Sequence, residues 1–162
     1  MGAVPVVSAD GVGEQIWFGG GLITFKVTSA QTNGAFAIIE DVAPKGKTTP
    51  LHVHDTFDET FYVIDGELLV HIDGTEYAAG PGAVAAIPRG LPHAFLVVSE
   101  SAHFLGFATP GDVFERFLRE GGEKPTGSDE APPLDIERVR AAGEKTGGMR
   151  VLGPPPFAKV NA

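Results

Sequence analysis

His52, His54, Glu59 and a more distant His93 are the residues of this 162-residue chain whose types and spacing could do chemistry. Only Val53 separates His52 from His54. On a β-strand their side chains therefore share a face, and the two imidazoles can converge on one point. Glu59 follows His54 by five residues, and His93 stands behind its own turn, Pro88-Arg89-Gly90-Leu91-Pro92. Three imidazoles and a carboxylate would suit one divalent transition metal ion: Fe, Mn, Ni, Co, Cu or Zn. The chain has no cysteine, which removes disulfides, thiolate ligands and a cysteine nucleophile together. Any metal here must be held by nitrogen and oxygen.

The offset to Glu59 is odd, so a straight strand would turn it away from His54. A turn or bulge within Asp55-Thr56-Phe57-Asp58 could restore it to the interior. His71 and His103 lack comparable neighbours and read as packing groups. Asp55 and Asp58 read as solvated or turn-capping.

The elements that must position these residues are short. Apolar runs of strand length fill residues 14–109, separated by turn residues. Asp65-Gly66 and Asp73-Gly74 are hairpin signals, because both residue types tolerate the positive φ of tight turns. No helical pattern intervenes, so the fold class is all-β, a sandwich or barrel. After Pro110-Gly111 the character changes. Asp112 is placed to cap a helix over 113–119 with Val113, Phe114, Phe117 and Leu118 on one stripe. Residues 121–133 read as a mobile connector, and 134–142 as a second short helix with Leu134, Ile136 and Val139 inward. The apolar tail from Met149 to Phe157 should pack on the domain. The division is thus 1–110, a β-barrel with N-terminal strands, and 111–162, a helical extension and tail.

Composition narrows the function classes. Against 21 acidic residues stand 12 basic ones, a formal charge of −9, which argues against nucleic acid or an anionic membrane as partner. No run of 18 apolar residues and no basic-then-apolar N-terminus is present, so a cytoplasmic location is expected. No Gly-rich phosphate loop accompanies the histidines, and no dinucleotide cofactor is expected.

Two ordered motifs frame the four residues. The first is Gly46, five residues, His52, one, His54, four, Glu59, six, Gly66; the second is Gly82, five residues, Pro88, one, Gly90, two, His93. Together they resemble the paired motifs of the cupin superfamily, except that Val97 stands where an Asn often follows the last histidine. The resemblance implies a cupin barrel (double-stranded β-helix, or jelly-roll) with short C-terminal helices, and a metal held by His52, His54, Glu59 and His93. It also implies a substrate pocket walled by Phe61, Phe95, Val97, Leu105 and Phe107. Phe114 to Arg119 and the tail ending Val-Leu-Gly-Pro-Pro-Pro-Phe are similar to bacterial quercetin 2,3-dioxygenases. In such enzymes a flavonol or similar aromatic hydroxy-ketone binds the metal and dioxygen cleaves it. Glu59 would be the catalytic base, its pKa raised by burial. Two alternatives stay open: an oxygen-independent metal-dependent polyketide cyclase or isomerase, and a non-enzymatic small-molecule-binding cupin. The family also implies a homodimer, formed through the strand near Ile16 to Phe18 or through the tail; whether the extension with the helix near Phe114 is a dimer contact or a lid over the barrel mouth stays open.

Overall fold

The computed structural model describes residues 2–127 and 129–158. Met1, Ser128 and residues 159–162, which the two-part division also takes in, lie outside them. One antiparallel sheet has six strands: β1 (Gln15–Phe18), β2 (Gly21–Val27), β3 (Ala37–Pro44), β10 (Ser101–Thr109), β5 (Asp58–Asp65) and β8 (Val84–Ile87), in that spatial order. The facing sheet has five: β11 (Arg150–Gly153), β4 (Leu51–Val53), β9 (His93–Val97), β6 (Leu68–Ile72) and β7 (Thr75–Ala79). The two antiparallel sheets face each other as the halves of one β-barrel.

Alternation along the strands builds the interior. On β5, Glu59, Phe61 and Val63 are buried; on β10, Ala102, Phe104, Gly106 and Ala108. These faces meet Leu68, Val70, Phe95 and Val97 of the opposite sheet in one core. A second core joins Phe25 and Phe57 to Phe114, Phe117 and Leu118 of α1 (Asp112–Gly121) and Val139 of α2 (Ile136–Thr146). Burying each such aromatic or aliphatic side chain stabilises by about 1.5–3 kcal/mol.

The two Asp-Gly pairs behave differently. Asp73-Gly74 is a hairpin: Ile72 pairs with Thr75, and φ values of 47° and 85° give the left-handed turn that matches strand twist. Asp65-Gly66 is not, because β5 and β6 belong to different sheets. The link crosses the barrel corner with Gly66 at φ 80°, where a Cβ would collide with the Ser101 carbonyl and the Ala102 backbone. Both demands require glycine, so the same dipeptide serves a different turn.

The helices also depart in detail. Asp112 is the first helical residue of α1, and Gly111 occupies the cap without a side-chain bond. In α2 the cap is Asp135, whose carboxylate accepts from the Arg138 amide at 3.0 Å, so Leu134 falls outside the helix and is 53% exposed. Within 121–133, Glu123 and Trp17 exchange backbone hydrogen bonds of 2.8 and 2.9 Å, occupying the edge of β1 there. The tail is a strand of the barrel itself: β11 pairs with β4, setting Val151 opposite His52. Among the described residues no helix is long and apolar enough to cross a membrane.

Candidate metal centre

Both sheets contribute to the site. His52 on β4 is the cross-strand partner of His93 on β9, and His54 follows β4 by one residue. Their ring centroids lie 4.3–5.0 Å apart. Glu59 comes from β5, in the opposite sheet. The chain therefore does not bulge within one strand between His54 and Glu59; it turns through Asp55–Phe57 and crosses between sheets. All four side chains are buried, and one ligand atom from each lies within 4.8 Å of the others.

The outer ring nitrogens explain which way the inner ones face. Nδ1 of His52 lies 2.7 Å from the Pro50 carbonyl, Nδ1 of His54 2.6 Å from that of Gly148, and Nδ1 of His93 2.9 Å from that of Leu91. A carbonyl only accepts, so each Nδ1 carries the proton. In the neutral imidazole this leaves a lone pair on Nε2. Oε2 of Glu59 stands 3.2 Å from Nε2 of His54 and 3.0 Å from Nε2 of His93. Acceptors facing acceptors at that distance call for a positive charge between them. The donor set fits a divalent ion on this ground, with carbonyls fixing the ligand tautomers as metal sites require.

Electrostatics agree. Burial lowers the His52 pKa to about 3, helped by His54 and His93, so this ring is neutral. For Glu59, burial raises the pKa, whereas His54 and His93 lower it below the ordinary range when they carry charge and donate through Nε2, the metal-free alternative to the neutral rings that a metal requires. The shift is opposite to the raised value expected of a buried base.

A pH dependence follows for the metal-free protein. Unfolded, His52 binds a proton below 6.5; folded, only below about 3. Between these values the unfolded chain holds the extra proton, so stability falls as pH is lowered, by up to about 1.4 kcal/mol per unit for this group. Glu59 adds a loss of the same sign as pH falls through and below 4.5. The urea midpoint of metal-free protein should fall between about pH 6.5 and pH 4, and fall less steeply in His52→Leu. Parallel curves for the two proteins would contradict this origin.

The centre opens on a largely apolar cavity of about 80 Å³, walled by Phe61, Phe95, Phe104, Phe117 and Met149 among others. Phe61 and Phe95 both line this cavity. Val97 is buried in the core between the sheets but does not reach the cavity. Leu105 and Phe107 alternate out of the barrel, opposite Tyr62 and Thr60, and Phe104 takes the inward place. Three contributors lacked a local sequence signal. Phe57 stacks on His54 at 4.3 Å and is itself backed by Phe114; Gly148 supplies the carbonyl for His54; and a buried Asp41–Lys47 ion pair lines the same cavity.

The remaining polar residues stay outside. His103 meets Glu40 at 2.6 Å on β10 and β3, and His71 packs edge-on against Phe157. Asp58 accepts two bonds of 3.0 Å from the Arg89 guanidinium, and Asp55 two of 3.1 Å from Arg150. These exposed ties brace the loops that carry the ligands.

Comparison with known proteins agrees with the barrel. Residues 38–106 match the Cupin domain family. Quercetin 2,3-dioxygenase of Bacillus subtilis (strain 168) is 31% identical over 122 residues, covering 75% of this chain and 36% of that protein. The chain thus spans little more than a third of that relative's length. An RmlC-like cupin from Shewanella frigidimarina superposes with a TM-score of 0.56 at 18% identity, over 68% of this chain and 96% of the other. A Thermotoga maritima protein described as a predicted oxalate decarboxylase gives 0.56 at 23% identity, over 66% and 99%.

Proposed function

We propose that the chain is a small cupin akin to quercetin 2,3-dioxygenase and acts as a metal-dependent dioxygenase on a flavonol or similar aromatic hydroxy-ketone. The observation that carries the proposal is a buried His52, His54, Glu59, His93 centre opening on an aromatic-walled cavity. A divalent ion bound there would supply positive charge for an ionised hydroxyl and an open position for a second ligand.

The protein's own groups supply the rest. Glu59 is held as a carboxylate, the form that accepts a proton from the entering hydroxyl. The fixed Nδ1 bonds keep His52, His54 and His93 aimed inward without reorganisation. Phe61, Phe95 and Phe104 offer ring faces and edges to a flat substrate and exclude water from it. α1 and α2 supply Phe114, Phe117 and Ile136 to the cavity wall.

Protein loaded with Fe, Mn, Co or Ni and equilibrated with quercetin without air should take up oxygen stoichiometrically with quercetin loss once air is admitted. Absence of uptake with every metal would overturn the proposal. Turnover indifferent to oxygen would indicate a cyclase or isomerase instead, and binding without product a binding protein.

The expected assembly is a homodimer. The outer face of the six-stranded sheet leaves Val42, Tyr62, Ile64 and Val84 between 40% and 62% exposed, an apolar patch suited to a second copy. Sedimentation should give the mass of two chains; a single-chain mass at every concentration would exclude it.

A further inference from the structure

We infer that Asp41 and Lys47 form a second polar anchor in the cavity, one that recognises a hydroxyl group. The preferred substrate would then carry a phenolic hydroxyl remote from its metal-binding end. The anchor stands on its own geometry; the extension to the substrate rests on the flavonol reading above.

Asp41 points inward from β3 and is 3% exposed, while Lys47 is 7% exposed, just after Gly46 turns the chain at φ 84°. Lys47 Nζ donates to Asp41 Oδ2 at 2.6 Å. That bond uses one of three ammonium protons, and the ring centroid of Phe95 lies 6.0 Å from Nζ. Asp41 Oδ1 is buried with no hydrogen-bond partner among the described residues. The pair therefore keeps a spare acceptor and spare donors. Asp41 Oδ1 and Lys47 Nζ both pack against Gly21, where a Cβ would collide with them, and both residues line the cavity.

Stability does not account for such a pair, since well-packed apolar residues commonly replace a buried ion pair without loss. Leaving a buried carboxylate oxygen unpaired is costly, and burial accordingly raises the Asp41 pKa against the pull of Lys47. Ligand chemistry resolves the mismatch. A carboxylate cannot donate to Oδ1, and an ammonium cannot accept from Nζ. A hydroxyl does both: its oxygen accepts from Lys47 while its proton goes to Asp41. Asp41 and Lys47 line the same cavity as His52, His54 and Glu59 of the metal centre.

One-ring probes test the anchor without assuming any reaction. Ligand-observed NMR titration of the full chain, metal-free and Zn-loaded, should show phenol binding at least tenfold more tightly than anisole, which has no O–H to donate. In D41L/K47M, or in D41N/K47Q should the first variant fail to fold, the preference should fall at least threefold. Equal binding of phenol and anisole by the unmodified protein, or a preference unchanged by the substitutions, would overturn the anchor. Metal-loaded protein should likewise prefer quercetin over 3-hydroxyflavone, and lose that preference in the variant. A phenol preference with no flavonol binding would sink the flavonol reading and leave the anchor. Flavonol turnover with no phenol preference would do the reverse.

Discussion

His93→Ala and His52→Ala should each reduce the bound metal from about one ion per chain to less than about a tenth of that, and abolish turnover with it. The two rings are a cross-strand pair, each held by a backbone carbonyl two residues before it, so neither can be replaced by a neighbour swinging in. Loss of groups that only orient ligands already lowers metal affinity about 10–100-fold, and removal of a ligand should exceed that. Stability offers a second readout. Metal at about 1,000 times its dissociation constant stabilises by about 4 kcal/mol, or roughly 8–16 °C in Tm for a domain of this size. The unmodified protein should show that shift on metal addition and the variants should not. His103→Ala, which only frees Glu40 on the outer face of the barrel, should keep both metal and shift. Unchanged stoichiometry in either ligand variant would refute the site.

Local pattern explains why much of this centre could be read in advance. His52 and His54 lie on one parity, and the glycine and proline frames around them specify corners that only a barrel needs. What pattern could not reveal is which sheet each segment joins. Asp65-Gly66 looks like Asp73-Gly74, yet one turns a hairpin and the other crosses between sheets, because the choice is made by Ser101 and Ala102 some 35 residues on. On β10, Phe104 and its neighbours Leu105 and Phe107 are all apolar, so alternation alone cannot tell inside from outside, and a one-residue shift exchanges the faces. Gly148 acts through a backbone carbonyl, which has no side-chain signal. Asp41 and Lys47 look like ordinary surface charges in a strongly charged chain; only the enclosing cavity gives them another meaning.

Glu59→Gln distinguishes a metal centre from a self-satisfied cluster of buried polar groups. In the metal-free protein, Oε2 of Glu59 faces two Nε2 atoms whose rings give their protons to carbonyls. A glutamine amide in the same place has two N–H groups and can donate one to each. Two neutral hydrogen bonds at roughly 0.5–1.5 kcal/mol each should raise the metal-free Tm by several degrees when both histidine rings are neutral. The same donors would occupy the lone pairs that a metal needs. Metal affinity should therefore fall at least about tenfold, and the Tm gain on metal addition should shrink. Turnover measured with metal in excess should fall about 10²–10⁴-fold, the usual worth of a general base. The opposite stability result is equally informative. If Glu59 is instead paired with a protonated His54 or His93, glutamine leaves that charge unbalanced, and the metal-free Tm should drop. A drop, with metal affinity retained, would mean that the four groups satisfy one another without an ion, and the metal centre would lose its physical basis.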